Sequence, residues 1–329
     1  MAAATGWYRD PVSCLHTTLA ALAAHAGEDP LAVVGLAWRF TYLPGDVRPE
    51  EYYWPCRSPD LAAEVLPHHE VRSRWRVADP GDPLADLEAT LAAGRLPIVA
   101  VDNFHLPFRP AYHDVHAAHL IVVHSVDREQ ATVRVSDVMP PAYAGPLPVA
   151  DLLRSWCAGA PADEQDVFFA GGPAENDARW LDVELDTPFP ALDRARLAQA
   201  CRANLADFHA RDRHTGLTGL RLYLEDLVER AAGGDGEALT EAYTFGWAPQ
   251  AQAALHGELL RTLGARWDDP GLAEAGRRVE QVAHRWTPLR VTAAHSHAEP
   301  RRHATELARH AHELRTAYAR AVAAVGESV

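Results

Sequence analysis

Apolar side chains near the start of the chain repeat at helical spacing. The stretch SCLHTTLAALAAHAG, which begins at Ser13 and ends at Gly27, places its leucines three and four residues apart. This spacing predicts a helix that carries Cys14 in its first turn. The same period predicts further helices over 29–40 and 82–94.

The spacing of apolar residues then changes to one typical of short strands, and later returns to helical spacing. Runs rich in β-branched and aromatic residues predict strands of a mostly antiparallel sheet over 96–104, 118–127, 131–138 and 166–171. After the DTPFP segment at residues 186–190, helical spacing persists to the end of the chain. We therefore predict an α+β fold with a mixed domain over 1–186 and an all-helical domain over 187–329.

Composition excludes several classes of protein. The chain has 329 residues, 48% of them hydrophobic, which is enough for one or two buried cores and argues against a disordered chain. The net charge is -14 and every basic residue is Arg without a clustered run, so we expect no nucleic-acid partner. No stretch approaches the roughly 20 apolar residues of a membrane span, and the first residues lack the layout of a signal peptide. We expect a cytoplasmic protein without membrane contact.

Cys14 is the first candidate for chemistry. The partial positive charge of a helix N-terminus stabilises a thiolate relative to a thiol, which makes a cysteine there a usable nucleophile. The alternative is an inert, buried thiol, since free cysteine is often a small core residue. The four cysteines of the chain form no CxxC pair, so we expect free thiols and no zinc knuckle.

A candidate base and its partner lie on two consecutive predicted strands. His119 opens the strand HLIVVHSV, and Asp137 ends the strand VRVSD. If these strands pair as a hairpin around the DREQ turn, His119 and Asp137 become neighbours, and the carboxylate can orient the imidazole. The alternatives are a strand-edge histidine bonded to backbone and an aspartate that serves only a turn.

Three histidines, His113, His116 and His119, form an HxxHxxH run. On a helix this spacing would place them near one face and suggest a metal site. The run follows two prolines, leads into a predicted strand and lacks an HExxH motif. We therefore expect no metal.

Three further residues are candidates for contact with a substrate. His16 points away from Cys14 in a regular helix and can line the pocket around it. Tyr53 and Trp54 belong to an aromatic loop that can cover an acyl group or simply pack on its own domain.

The order of these motifs resembles the papain-like cysteine peptidase superfamily in its bacterial form and, more narrowly, the butirosin biosynthesis protein H family. The similar stretches are SCLHTTLAALAAHAG around Cys14, VDNFHLPFRPAYHDVHAAHLIVVHSVD around His119, and VRVSD ending at Asp137. The second half resembles the helical domain that follows in this family, in RHTGLTGLRLYLEDL and DPGLAEAGRRVEQVAHRW.

The resemblance implies a papain-like N-terminal domain, in which the nucleophile helix packs on an antiparallel sheet, and an acyltransferase of natural-product biosynthesis. Carried over, Cys14 takes an acyl group from the phosphopantetheine arm of an acyl or peptidyl carrier protein. His119 activates Cys14 and then a small-molecule amine or hydroxyl acceptor, while Asp137 orients His119. No other cofactor is implied.

One departure from the papain-like pattern keeps alternatives open. Papain-like enzymes usually carry Gln or Asn upstream of the cysteine as an oxyanion donor, whereas GWYRDPVS precedes Cys14 here. The same three residues would serve a thioester hydrolase or cyclase that releases a carrier-bound chain, and the missing donor also fits an inactive papain-like scaffold. Apolar helices in the second half are compatible with a homodimer as well.

Overall fold

The computed structural model describes residues 6–43, 58–158, 161, 163, 165, 166, 168 and 178–329. These residues form two compact units. The sheet unit contains the described residues of 6–30 and 58–189, and the helical unit contains 31–43 and 190–329. The predicted boundary after residue 186 lies close to the C-terminal division, but no sequence pattern assigns residues 31–43 to the helical unit.

Six strands of the sheet unit form one sheet in the order β1-β6-β2-β3-β4-β5. The strands are β1 (Val71–Val77), β2 (Ile98–Asp102), β3 (Ala118–Asp127), β4 (Thr132–Asp137), β5 (Tyr143–Pro148) and β6 (Arg179–Leu185). Every neighbouring pair is antiparallel. The predicted α+β class with an antiparallel sheet is confirmed.

Three neighbouring strands of the sheet, β2, β3 and β4, were easier to predict than the other three. β2, β3 and β4 lie within predicted ranges, whereas β1 alternates with arginines in VRSRWRV and β5 contains two prolines. An edge strand tolerates proline because one side of its backbone is unpaired. Of the strand predicted over 166–171, Asp166 and Phe168 lie outside strands, and the other positions fall outside the described residues.

The described helices, in chain order, are α1 (Cys14–His25), α2 (Pro30–Val34), α3 (Leu61–Val65), α4 (Pro83–Ala92), α5 (Val149–Cys157), α6 (Arg194–Phe208), α7 (Gly216–Gly233), α8 (Gly236–Phe245), α9 (Trp247–Arg266), α10 (Pro270–Ser296) and α11 (Pro300–Ser328). In the sheet unit, α1 packs on β3, and a core that includes Leu87 of α4, Ile121 of β3 and Trp156 of α5 lies against the sheet. In the part of the chain that the structure describes, no helix has both the length and the apolarity required to cross a lipid bilayer.

The helix predicted over 29–40 is wrong beyond Val34. The chain continues without helical structure through Trp38 and Phe40, which are buried in the helical unit. The Trp38 ring lies 4.5 Å from the ring of Phe208 and 5.6 Å from that of His256, measured between centroids. Burial of these large rings among the C-terminal helices outweighs the local helical period.

Helices α9 and α10 meet at glycines. A Cβ atom added to Gly257 would lie 2.8 Å from the carbonyl oxygen of Gly276, and one added to Gly276 would lie 2.7 Å from the carbonyl oxygen of Gly257. A Cβ on Gly264 would lie 2.5 Å from the backbone nitrogen of Ala273. The two backbones therefore touch along this seam, with no room for a side chain between them.

Candidate active site

Cys14 opens helix α1 and is partly exposed. Ser13 occupies the N-cap position with extended backbone angles (φ -89°, ψ 169°), but its hydroxyl makes no capping hydrogen bond to the helix and contacts Nδ1 of His16 at 3.0 Å. The hydroxyls of Thr17 and Thr18 donate to the carbonyl oxygen of Cys14 at 3.0 and 2.9 Å, which holds the first turn. Because the Ser13 hydroxyl is engaged with His16, it does not cap the N-terminus of α1, where the partial positive charge of the helix favours an anion.

His119 and Asp137 meet where β3 and β4 pair as an antiparallel hairpin. Nε2 of His119 lies 2.8 Å from Oδ2 of Asp137, and the side chains are 6% and 1% exposed. The structure therefore places in contact the two residues that a hairpin makes neighbours.

Arg109 adds a second cation to this carboxylate. Its guanidinium donates to Oδ2 of Asp137 at 3.1 Å and to the carbonyl oxygen of Met139 at 3.0 Å. The backbone N–H of Met139 donates to Oδ1 of Asp137 at 2.9 Å. Burial acts to raise the pKa of Asp137, but the charge and hydrogen bond of His119, with Arg109 and the Met139 N–H, outweigh it and lower the pKa. Asp137 is therefore held as a carboxylate.

Cys14 completes the surroundings of His119. Burial disfavours the charged imidazole, but the charge and hydrogen bond of Asp137, together with a hydrogen bond and charge interaction with Cys14, raise the pKa of His119 to about 9. Since Nε2 is engaged by Asp137, Nδ1 is the ring nitrogen that remains for Cys14. At neutral pH the His119 ring is therefore protonated.

Helix α1 lies along β3, which explains why Cys14 reaches His119. At the other end of the helix, His25 is close enough to β3 to contribute, after burial, to the lowered pKa of His124. His124 itself bonds the Ser136 hydroxyl at 2.7 Å and takes no part in the Cys14 contact. The parallel course of helix and strand brings the helix N-terminus to the end of the sheet where β3 begins and β4 ends.

A second histidine–aspartate pair lies at the same end of the sheet. Nδ1 of His116 lies 2.6 Å from Oδ2 of Asp102, the last residue of β2. Oδ1 of Asp102 accepts from the backbone N–H groups of Phe104 and Ala117, each at 3.1 Å. The Phe104 ring stacks on His116 with centroids 4.1 Å apart. Both oxygens of this buried carboxylate are thus engaged.

The HxxHxxH run does not gather into one site. His116 and His119 bond different carboxylates, and His113 stacks on the Tyr112 ring with centroids 3.9 Å apart. Among the described residues, no group of three or more His, Cys, Asp or Glu side chains is arranged so that it could hold a metal ion.

The predicted substrate contacts fall in different places. His16 is 1% exposed, and burial lowers its pKa to about 4, so the ring is neutral at pH 7. Tyr53 and Trp54 lie outside the described residues. Contact of these three residues with a substrate stays a prediction.

Two residues of this region were not among the sequence candidates. Asp102 carried a usable signal, because a carboxylate that ends an apolar strand is costly to bury without a partner, and histidines follow in the next segment. Arg109 carried none, because it lies between Pro107 and Pro110 in a loop with no pattern that connects it to Asp137.

The fold and the site define an α+β protein in which a cysteine at a helix N-terminus lies beside a buried histidine–aspartate pair on an antiparallel sheet. Residues 13–138, from the N-cap of α1 to just beyond β4, match the family model described as butirosin biosynthesis protein H, N-terminal. Over this region the chain is similar to that family, which confirms the predicted resemblance. The family takes its name from a protein of butirosin biosynthesis, which is natural-product biosynthesis. No match to the chain was found among curated proteins.

Proposed function

We propose that this protein is a cysteine-dependent acyltransferase of natural-product biosynthesis. The observation that carries the proposal is the interaction of Cys14, at the N-terminus of α1, with His119, which in turn bonds Asp137. A nucleophile, a base and a group that orients the base form the arrangement used for covalent acyl transfer. The acyl donor in this proposal is a thioester on the phosphopantetheine arm of an acyl or peptidyl carrier protein. The acceptor is a small-molecule amine or hydroxyl.

In the first half-reaction, Cys14, whose thiol proton has passed to His119, attacks the carbonyl carbon of the donor thioester through its sulfur and forms a new carbon–sulfur bond. The backbone N–H of Cys14 donates to the oxyanion of the tetrahedral intermediate. Collapse of the intermediate breaks the carbon–sulfur bond to the carrier arm. His119, protonated at neutral pH, gives its proton to the departing thiolate. The products are acyl-Cys14 and the free thiol of the carrier.

In the second half-reaction, the acceptor amine or hydroxyl attacks the acyl carbon. His119, now neutral, takes the proton that the acceptor loses, and Cys14 leaves as a thiolate. Asp137 accepts a hydrogen bond from Nε2 of His119 and so keeps Nδ1 as the basic nitrogen. The net change is a thioester exchanged for an amide or ester.

The local structure of α1 supports thioester chemistry over peptide hydrolysis. The Ser13 hydroxyl is turned toward His16 and does not cap the helix, and the partial positive charge of the helix N-terminus favours an oxyanion. No upstream Gln or Asn supplies a second donor, and loss of one donor can cost about 10²- to 10³-fold in rate. A thioester is already activated and tolerates this loss better than an amide does.

The test is intact-protein mass spectrometry after incubation with a panel of acyl-phosphopantetheine thioesters, free and carrier-bound. We expect the wild type to gain the mass of one acyl group and a Cys14→Ala variant to gain none. Cys157→Ala is the matched control, because Cys157 lies outside the site. The residue is exposed, but partial burial of its thiol group raises the thiol pKa. This variant should acylate like the wild type. Equal acylation of wild type and Cys14→Ala would refute the proposal.

The same experiment separates the alternatives. Turnover that requires an added amine or hydroxyl supports an acyltransferase, whereas turnover in water alone supports a thioester hydrolase or cyclase. A wild type that gains no acyl mass with any donor, and whose Cys14 resists alkylation by iodoacetamide at pH 7, supports an inactive scaffold.

A further inference from the structure

A cavity of about 60 Å³ opens in the helical unit between helices α7 and α8. One probe sphere of about 10–15 Å³ is enough for a water molecule, so the cavity has room for a short aliphatic group. The wall of the cavity includes three aromatic rings and three charged side chains. The rings belong to Tyr42, Tyr223 and Phe245, and the charged side chains to Asp226, Arg230 and Glu241.

The three rings of the wall pack against one another. Tyr223 lies 4.8 Å from both Tyr42 and Phe245, and Tyr42 lies 5.7 Å from Phe245, measured between ring centroids. The ring planes are inclined to one another by 53° to 69°, so the rings form a tilted cluster along the cavity and not a parallel stack. Aromatic faces attract cations through the ring quadrupole.

One polar atom of this wall lacks a protein partner. Tyr223 is 5% exposed, and its hydroxyl has no hydrogen-bond partner among the described residues. A buried hydroxyl without a partner is destabilising. Burial raises the pKa of Tyr223 well above its ordinary range, so the group stays neutral. Its oxygen can accept a hydrogen bond from an N–H group that enters the cavity.

The charges of the wall favour a cation. Arg230 already donates to Asp235 at 2.7 Å and to Glu241 at 3.0 Å, so its charge is compensated. Asp226 accepts a hydrogen bond from Tyr42, and no ion pair of the described residues includes it. The Asp226 carboxylate is therefore the uncompensated charge at the cavity.

A second cation in this region is turned elsewhere. Arg290 is electrostatically coupled to Tyr223, but its guanidinium donates to the carbonyl oxygen of Tyr243 at 2.8 Å and to Gln250 at 2.7 Å. It also lies over the rings of Tyr243 and Trp247, 4.7 and 4.8 Å from their centroids. Arg290 does not line the cavity, so its charge does not oppose binding of a cation beside Asp226.

We infer that this cavity binds the primary ammonium group of a small aliphatic amine. The ammonium N–H groups donate to the Asp226 carboxylate and the Tyr223 hydroxyl, while the first methylene groups contact the three rings. The inference does not rest on the proposed acyltransferase function, since every residue involved belongs to the helical unit and no acyl donor is needed to test it.

The test measures binding of propylammonium to the full chain by ligand-observed NMR titration at pH 7. We expect saturable binding of propylammonium, at least about fivefold weaker binding of tetramethylammonium, which has no N–H group, and none of propanol or propionate. Failure of propylammonium to saturate, or equal binding of propanol or propionate, overturns the inference.

Two variants and a matched control locate the site. Asp226→Asn should weaken propylammonium binding about tenfold or more, and Tyr223→Phe about fivefold, because each removes one acceptor and keeps the shape of the side chain. Glu225→Gln removes the same charge one residue away on α7, where Glu225 pairs with Arg221 at 2.6 Å, and should change the affinity less than twofold. Equal effects of Asp226→Asn and Glu225→Gln would mean that only the overall charge of this surface affects binding, and would overturn the proposed site.

Discussion

The two histidine–aspartate pairs at one end of the sheet are built alike but have different surroundings. In each pair the carboxylate is 1% exposed and contacts one ring nitrogen, Nε2 of His119 or Nδ1 of His116. His119 is 6% exposed and interacts with Cys14, whereas His116 is 24% exposed and stacks on Phe104.

The difference shows what turns such a pair into a candidate catalytic group. A carboxylate on one nitrogen fixes the tautomer of either ring, so that feature alone does not separate the two. What separates them is the group on the other side of the ring, which is a thiol at a helix N-terminus for His119 and an aromatic face for His116. Variants of both pairs can test whether the contact with Cys14 decides which histidine supports acylation.

Removal of the two imidazoles should give the largest contrast. We expect His119→Ala to slow acylation of Cys14 by about 10³-fold or more, because the variant loses the proton donor and acceptor of both half-reactions. His116→Ala should stay within about tenfold of the wild type. Rates of acyl-enzyme formation by quenched-flow mass spectrometry measure both. Equal losses in the two variants would mean that the Cys14 contact does not set the role of His119.

Replacement of the two carboxylates by amides should separate positioning from folding. Asp137→Asn allows the amide to donate to Nε2 of His119 and favours the wrong tautomer, so we expect about 10²-fold slower acylation or more. Asp102→Asn disturbs a similar number of hydrogen bonds and should cost about 1–3 kcal/mol of stability, with acylation nearly unchanged. Urea unfolding alongside the acylation rate distinguishes these effects. A slow Asp102→Asn variant of normal stability would give the second pair a chemical role.

The pH dependence of stability tests the same pair without a substrate. The folded pKa of His119 is about 9 and its ordinary value is 6.5. Its contribution is therefore fully present below about pH 6.5 and is lost as the pH rises through 9. We expect the unfolding free energy of the wild type to fall by up to roughly 3 kcal/mol more than that of His119→Gln over this interval. Urea denaturation from pH 6 to pH 10 measures it, and parallel profiles would contradict the assignment.

The helix of Cys14 and the hairpin of His119 and Asp137 were predictable because their signals are local. A helical apolar stripe fixes where α1 starts, and two β-branched runs separated by a short turn fix a hairpin. Non-local contacts were not predictable. Arg109 reaches Asp137 from a loop 28 positions earlier in the sequence, and Trp38 leaves its predicted helix to pack on Phe208. Neither contact follows from a period in the sequence, because each depends on how distant segments meet.

The glycine seam between α9 and α10 has a consequence for how this protein can evolve and be engineered. Gly257 and Gly276 each lie within 3 Å of the other's backbone once a Cβ is added, so even alanine at either position forces the two helices apart. Mutational scanning should therefore find almost no accepted substitution at these two positions. Libraries that diversify the helical unit would do better to leave this hairpin fixed and vary the outer faces of its helices.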